Sequence, residues 1–297
     1  MTLPKLSNAL CTCFFSSLIL LGSTAALASS TTSQPQEETT HRIISTDASS
    51  TDIIIALGNG ADLVGVDVTS QLPENVKAAK VGYHRTLSAE GLLSLNPNLI
   101  IGSEHMGPPE TINAVKNAQL TVLQLPTARD DKTLKNNITL ISKTLNKPQH
   151  AQALIEHINT QMNQLKQRQL STITSVAFLL QMDGRGLQLA GASTAGNDII
   201  HLLGGNNLAS YHGYQAVSAE SLLELQPDVI IIASKNSTQP AADTLLKNNP
   251  LLAHTPAGQQ NNIVAIDAAS LVAGISIKSL DALAVIAKTL QPPVAKP

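Results

Sequence analysis

The fold is decided by the stretch VGYHRTLSAEGLLSLNPNLIIGSE, residues 81–104. A loop leads to Ser88, which can cap a short helix with Leu92 on its apolar face. Asn96-Pro97 ends this helix, because a residue before proline is driven out of the α conformation. The apolar run over 99–101 then suits a strand covered on both faces. The stretch therefore predicts a loop, a helix and a buried strand of an α/β sheet.

The same design occurs a second time, in VSAESLLELQPDVIIIAS, residues 217–234. Its Ser-Ala-Glu triplet, paired leucines, proline and isoleucines match those of the first stretch in order. A shorter echo precedes each copy, over residues 52–58 and 198–204. Two echoes in the same order predict two lobes of one architecture.

Strand and helix patterns alternate in both halves of the chain, which favours parallel sheets with helices on both faces. Between the halves, residues 147–169 keep one apolar stripe at helical spacing. We interpret this segment as a long linking helix between an N-terminal lobe, residues 41–146, and a C-terminal lobe, residues 170–297. The predicted fold class is α/β and bilobal, with two Rossmann-like lobes joined by one long helix.

The first residues have the pattern of a secretory leader with a cleavage site at Ala28. We expect a signal peptide over 1–28 and a polar, disordered tether over 29–40. Both cysteines of the chain, Cys11 and Cys13, lie in the leader, so the exported protein has no thiolate metal site and no disulfide. The net charge of −2, without any block of like charge, gives no surface suited to nucleic acid.

The three tyrosines of the chain are Tyr83, Tyr211 and Tyr214. All of them lie in the two loops that precede the repeated helices. Tyrosines used for general packing would be scattered along the chain instead. Their clustering therefore predicts a binding site between the lobes.

On these residues the chain resembles the periplasmic substrate-binding proteins of the helical-backbone class, class III. Within that class it most resembles the haem-binding proteins of bacterial haem importers, through the motif Gly-Tyr-x-Arg-x-Leu-Ser-x-Glu-Gly at residues 82–91. The resemblance implies a periplasmic-binding-protein fold that captures haem b (hemin) between its lobes. It also implies delivery of haem to the permease and ATPase of an ABC importer. We expect a periplasmic monomer that is neither an enzyme nor embedded in the membrane.

The resemblance assigns roles to four positions. It implies that Tyr83 is the ligand of the haem iron and that Arg85 supports it. It also implies that Glu90 and Glu220, one per lobe, dock onto basic pockets of the permease. The chemistry fits, because tyrosine is a known axial ligand of haem. A phenol ionises near pH 10, and both iron and a nearby guanidinium lower its pKa.

Six further residues are candidates for contact with haem because they lie near the predicted site. They are His84, His105, Met106, His212, Tyr214 and Lys278. His105 and Met106 follow a predicted strand, where doubly wound folds place ligand contacts. Haem-binding relatives tend to have Gly-Pro-Arg late in the second lobe, with the arginine on the haem propionates. This chain has Gly-Ile-Ser at residues 274–276, which leaves Lys278 as the nearest cation.

Three alternatives stay open. A ferric-siderophore or vitamin B12 binding protein of the same class needs aromatic or arginine contacts but no coordinating tyrosine. A Zn²⁺ or Mn²⁺ binding protein needs converging histidines and carboxylates, whereas the eight histidines are scattered. A secreted α/β enzyme is disfavoured, because the chain has no nucleophile elbow, no H-E-x-x-H and no P-loop.

Overall fold

Two β-sheets covered by helices make up the part of the chain that the structure describes. The structure is a computed structural model. The residues described are 41–170, 174–182, 186–235 and 240–290. The predicted signal peptide over 1–28 and the predicted tether over 29–40 lie outside them. Within the described ranges, no helix combines the length and the apolar character needed to cross a membrane.

The N-terminal sheet is entirely parallel. Its strands are β1 Ile43–Ser45, β2 Leu63–Val66, β3 Ala79–Lys80, β4 Leu99–Ser103 and β5 Thr121–Leu125. Its helices are α1 Ala48–Ala56, α2 Ala89–Leu93, α3 Pro109–Asn117 and α4 Asp131–Thr144. The strand order is β3-β2-β1-β4-β5, so the chain starts in the middle and winds outwards to both edges. Every residue of β4 is buried, as expected for a strand with helices on both faces.

The C-terminal sheet is mixed. Its strands are β6 Ser175–Leu180, β7 Gln188–Ala190, β8 Asn206–Asn207, β9 Tyr214–Ala216, β10 Val229–Ser234 and β11 Ile263–Asp267. The order is β11-β10-β6-β7-β9, with β8 beside β6. Strand β7 is antiparallel to both of its neighbours, and the other pairs are parallel. Its helices, after the linking helix α5 Pro148–Gln167, are α6 Ala195–Leu203, α7 Ala219–Leu225, α8 Pro240–Asn248, α9 Pro256–Gln259 and α10 Ile277–Thr289.

The two repeated stretches have the same local structure. The side chain of Ser88 caps α2 and that of Ser218 caps α7, each by accepting a hydrogen bond from the backbone N–H three residues on. Leu92 and Leu222, at corresponding positions of these helices, are both fully buried. The bilobal α/β architecture predicted from the repeat is confirmed.

Helix α5 joins the two sheets and contributes to a core that both lobes share. Its 20 residues correspond to a length of about 30 Å. Ile158 and Leu165 of this helix are buried in one apolar cluster with Ile138 of the N-terminal lobe and Phe178 of the C-terminal lobe. Each lobe adds a smaller apolar cluster on its other face. The two lobes are therefore held together by the hydrophobic effect along the helix.

The carboxyl ends of the two sheets meet at a seam. Ala128, which follows β5, donates its N–H to the carbonyl oxygen of Ala273 at 3.2 Å and accepts the N–H of Ile275 at 2.7 Å. Gly274 lies between these partners with a φ of +95°, and a Cβ atom there would collide with the carbonyl oxygen of Ala128. Glycine is thus required here by both the backbone conformation and the close approach of the other lobe.

We predict that Gly274→Ala lowers the free energy of unfolding by about 3 kcal/mol, because it adds the clash at the seam to the cost of a positive φ. The matched control is Gly58→Ala, where φ is +89° and nothing lies within 4 Å of the added Cβ. We expect the control to lose about 1 kcal/mol. Urea unfolding of both variants measures the difference. Equal losses of unfolding free energy in Gly274→Ala and Gly58→Ala would show that the seam accommodates a side chain.

Candidate ligand site at the carboxyl edges of the sheets

Tyr83 lies on the loop between β3 and α2, which is anchored to the turn after β4. Gly107 donates its N–H to the carbonyl oxygen of His84 at 2.8 Å and accepts the N–H of Leu87 at 2.8 Å. These bonds hold the loop at the carboxyl edge of the N-terminal sheet, where doubly wound folds bind ligands. Tyr83 is 41% exposed, and its phenol oxygen has no partner among the described residues.

His84 is buried beside Tyr83. The centroids of the two rings are 4.2 Å apart, and only 4% of His84 is exposed. Its Nδ1 atom is buried without a hydrogen-bond partner. Burial lowers the pKa of His84, although the Asp67 carboxylate opposes this, so the imidazole is neutral at pH 7. The predicted contact with haem is disfavoured by this placement, because the ring packs inside the lobe.

Arg85 is exposed on the same loop, two residues after Tyr83. Its guanidinium makes no hydrogen bond or ion pair with any described residue. A free guanidinium can hold a carboxylate through two parallel hydrogen bonds. Tyr83 and Arg85 are thus two neighbouring polar side chains that the fold itself does not use.

His105 and Met106 are neighbours in the turn after β4, but one is exposed and the other is buried. His105 is exposed, and its Nε2 atom lies 3.0 Å from the hydroxyl oxygen of Thr127. The carboxylate of Glu104 accepts both the hydroxyl and the N–H of Thr127, which lowers the pKa of Glu104. Met106, by contrast, is 4% exposed and packs in the apolar cluster around Ile100. His105 stays a candidate for ligand contact, whereas burial argues against Met106.

The C-terminal lobe contributes a second loop with three candidate side chains. His212 is exposed, and its Nδ1 atom lies 3.2 Å from the hydroxyl oxygen of Ser193. The Tyr211 hydroxyl donates to the carbonyl oxygen of Leu189 at 3.0 Å. Burial raises the pKa of Tyr214, against the effect of hydrogen bonds from the backbone of Gly196 and from a nearby threonine hydroxyl. Two of the three tyrosines are therefore satisfied within their own lobe, and only the phenol of Tyr83 has no partner among the described residues.

Lys278, predicted as a ligand contact, forms an ion pair in the structure. Its ammonium group lies 2.6 Å from a carboxylate oxygen of Asp52, whose side chain is 9% exposed. Burial raises the pKa of Asp52, and Lys278 opposes that rise by favouring the ionised form. The pair joins α1 of one lobe to α10 of the other. Lys278 is thus used to stabilise the contact between the lobes and is not a free anchor for a ligand. Ser276, in the segment that replaces Gly-Pro-Arg, is fully buried and caps α10.

Sequence reasoning missed Arg129, which also lies at the carboxyl edge of the N-terminal sheet. Its guanidinium reaches across the seam to Asp198 of α6 at 3.4 Å, and its side chain is 51% exposed. The signal that could have found it is its position four residues after the end of β5, in a loop where such folds place ligand contacts.

Glu90 and Glu220 are exposed in the first turns of α2 and α7. Each helix starts at a serine cap, and a carboxylate in a first turn is favoured by the helix dipole. The pKa of Glu220 is lowered by hydrogen bonds from its own backbone N–H and from Ser218. Both lobes therefore present an exposed glutamate at the same place on the repeated unit.

Two other features lie apart from these loops. A groove of about 510 Å³ runs along the amino edge of the N-terminal sheet, where Arg42 lines it and donates to the carbonyl oxygens of Leu95 and Asn96. Because it is at the edge opposite Tyr83, we do not assign the ligand site to it. No group of three histidine, aspartate or glutamate side chains converges as a metal site in the part of the chain that the structure describes.

Comparisons with known proteins place the chain in a protein family. A family model described as periplasmic binding protein matches residues 43–269. The chain is similar to the periplasmic haem-binding protein HutB of Vibrio cholerae, with 38% identity and a TM-score of 0.75 over 85% of this chain and 99% of that one. It is also similar to a periplasmic haem-binding protein from Pseudomonas aeruginosa, with 33% identity and a TM-score of 0.73 over 86% of this chain and 94% of that one.

Curated sequences include a relative with a different ligand. The chain is 27% identical to the vitamin B12-binding protein of Yersinia pestis, over 66% of this chain and 70% of that protein. The chain spans 62% to 70% of the length of the curated relatives that it matches.

We predict that Lys278→Met lowers the free energy of unfolding by about 2 kcal/mol, because it leaves the carboxylate of Asp52 buried and unpaired. The double variant with Asp52→Asn should recover part of this loss, since it removes the unpaired charge. Urea unfolding of the wild type, both single variants and the double variant gives the coupling free energy between Lys278 and Asp52. A Lys278→Met protein as stable as the wild type would show that the lysine is free to serve another role.

Proposed function

The chain belongs to the periplasmic binding protein family, and from this premise we propose that it captures haem between its lobes and delivers it to an ABC-type importer. The ligand itself is not chemically changed in this function; it is only bound and released. The protein needs a site that holds one ligand firmly and still releases it to the permease. Haem b is the cargo in this proposal, not a resident cofactor.

The observation that carries the proposal is the unpartnered phenol of Tyr83 at the carboxyl edge of the N-terminal sheet. Buried tyrosine hydroxyls usually have a partner within the protein, as Tyr211 does. Tyr83 is instead 41% exposed without one. The similarity to two haem-binding proteins above 30% identity supports the same ligand.

Tyr83 would bind the ferric iron through its phenolate oxygen, a hard anionic ligand suited to Fe³⁺. An unaided phenol is neutral at pH 7, so the phenolate must be stabilised by its surroundings. The iron supplies most of that stabilisation, and the free guanidinium of Arg85 adds to it. Arg85 can alternatively hold a propionate through its two parallel N–H donors. His105 and His212, both exposed, would contact the ligand from the edges of the two lobes.

Glu90 and Glu220 would dock the loaded protein onto the permease. They are exposed at equivalent positions of the two lobes, so a pair of basic pockets on the permease could engage both at once. The N-terminal lobe over 41–146, the linking helix over 147–169 and the C-terminal lobe over 170–297 would act as one exported monomer. The leader over 1–28 would direct it to the periplasm, and the tether over 29–40 would precede the folded part.

A second candidate ligand is a corrinoid such as vitamin B12, favoured by the similarity to the Yersinia pestis protein. Such a ligand brings its own metal ligands and does not require a phenolate. The free phenol of Tyr83 favours haem over this alternative, and a titration with both ligands separates them.

We predict that hemin added to the purified protein gives the absorption spectrum of a high-spin ferric haem bound through tyrosinate, and that Tyr83→Phe abolishes it. The phenylalanine keeps the ring that packs on His84 and removes only the coordinating oxygen. Tyr211→Phe is the matched control, since that hydroxyl is used within its own lobe, and it should keep the spectrum. If the protein stayed colourless in excess hemin and bound cyanocobalamin, the corrinoid would replace haem as the proposed ligand.

We also predict that charge reversal at both docking carboxylates, Glu90→Lys with Glu220→Lys, abolishes haem-dependent growth, because like charges would then meet at the permease. Haem affinity should stay within about twofold of the wild type, because both residues are exposed in the first turns of their helices and not on the Tyr83 loop. The control is Glu110→Lys, an exposed first-turn glutamate of α3. Growth equal to the wild type for the double variant would remove the docking role.

A further inference from the structure

We propose that Arg129 is a second carboxylate-binding residue of the ligand site, and that it exchanges Asp198 for a propionate of haem when the protein is loaded. This inference rests on the function proposed above. In this inference, an arginine of the first lobe takes the role of the second-lobe arginine in the Gly-Pro-Arg motif, which this chain lacks.

Few cations are free to bind a ligand carboxylate. The five arginines of the chain are Arg42, Arg85, Arg129, Arg168 and Arg185. Arg42 is bound at the amino edge of its sheet, and Arg168 ends the linking helix. Arg185 lies outside the described residues. Lys278 is held by Asp52, and Lys80 donates to backbone carbonyl oxygens of its own lobe. Among the described arginines, Arg85 and Arg129 are left at the carboxyl edge.

Arg129 and Tyr83 lie along one continuous edge of the N-terminal lobe. The Tyr83 loop is bonded to Gly107, at the turn after β4. His105, two residues earlier in the same turn, contacts Thr127 at 3.0 Å. Thr127 is two residues from Arg129 in the loop after β5. A flat ligand whose iron lies at Tyr83 would extend along this edge towards Arg129.

The existing partner of Arg129 holds it weakly. The contact with Asp198 is a single one of 3.4 Å, longer than the 2.7–2.9 Å of a strong charge-assisted hydrogen bond. It uses one of the five N–H donors of the guanidinium, and half of the Arg129 side chain stays exposed. Burial raises the pKa of Asp198, against the effect of Arg129, so this carboxylate is incompletely compensated. A propionate that approaches from solvent can make the two parallel bonds that Asp198 does not make.

An exchange of Asp198 for a propionate and a simple ion pair between the lobes predict different effects of mutation on ligand binding. Asp198 competes with the ligand for the guanidinium, so removing its charge should favour loading. If Arg129 and Asp198 only tied the lobes together, loss of either partner would have the same effect. The two variants therefore distinguish a ligand contact from a structural tie.

The experiment measures hemin affinity by absorption titration for the wild type, Arg129→Gln and Asp198→Asn, with Arg168→Gln as the control arginine. Hemin dimethyl ester, whose propionates carry no charge, is the second ligand. We expect Arg129→Gln to weaken hemin about tenfold and to leave the ester unchanged, since one charge-assisted bond pair is lost. Asp198→Asn should bind hemin as tightly as the wild type or more tightly, and Arg168→Gln should match the wild type.

Equal weakening by Arg129→Gln and Asp198→Asn, for both ligands, would overturn the inference and leave a tie between the lobes. An Arg129→Gln protein with wild-type hemin affinity and an intact tyrosinate spectrum would also overturn it while the proposed function stands. If the wild type itself binds no hemin, the proposed function fails and this inference fails with it.

Discussion

One apolar core that runs through both lobes sets the geometry of everything else in this protein. Helix α5 contributes Ile158 and Leu165 to a cluster that contains residues of both sheets, so the lobes cannot separate without exposing it. The backbone bonds between Ala128 and the segment around Gly274 then bring the carboxyl edges together. A continuous helix bends less readily than a pair of loop hinges, so this construction favours a small change of angle between the lobes. The proposed ligand site would consequently be built from loops such as that of Tyr83, which is bonded to the turn after β4.

Polar residues at these edges divide into those that the fold uses and those that it leaves free. Lys278 neutralises a buried aspartate, Tyr211 and Tyr214 are satisfied within the C-terminal lobe, and Ser276 caps a helix. A buried polar group without a partner costs about 1–3 kcal/mol, which explains why such residues are committed to internal contacts. Tyr83 and Arg85 have no such partner in the described part of the chain. They lie two residues apart on one loop, and the phenol and the guanidinium are therefore the groups that a ligand could bind without breaking an internal bond.

The segment Gly-Ile-Ser at residues 274–276, where haem-binding relatives tend to have Gly-Pro-Arg, belongs to the contact between the lobes. Gly274 and Ile275 form the seam with Ala128, and the following serine is buried at the start of α10. The segment therefore contributes to the contact between the lobes, and a charged side chain at Ser276 would have to be buried there. In the function proposed above, an anchor for the haem propionates would then come from the N-terminal lobe, which has arginines that could provide it. Similar folds with similar edges can thus differ in which lobe holds the charged end of a ligand.

The sequence by itself determined the repeat, the fold class and the loop of Tyr83. Periodicity marks the linking helix, and the serine caps with their paired leucines mark the two equivalent units, because these signals are local. The antiparallel β7, the pairing of Lys278 with Asp52 and the burial of His84 and Met106 were decided only by the tertiary structure. Each depends on residues far apart in the chain, whose approach no local pattern encodes. From the sequence alone, a histidine or a methionine near the end of a strand gives no sign of whether it faces solvent or the core. Tertiary packing decides its orientation.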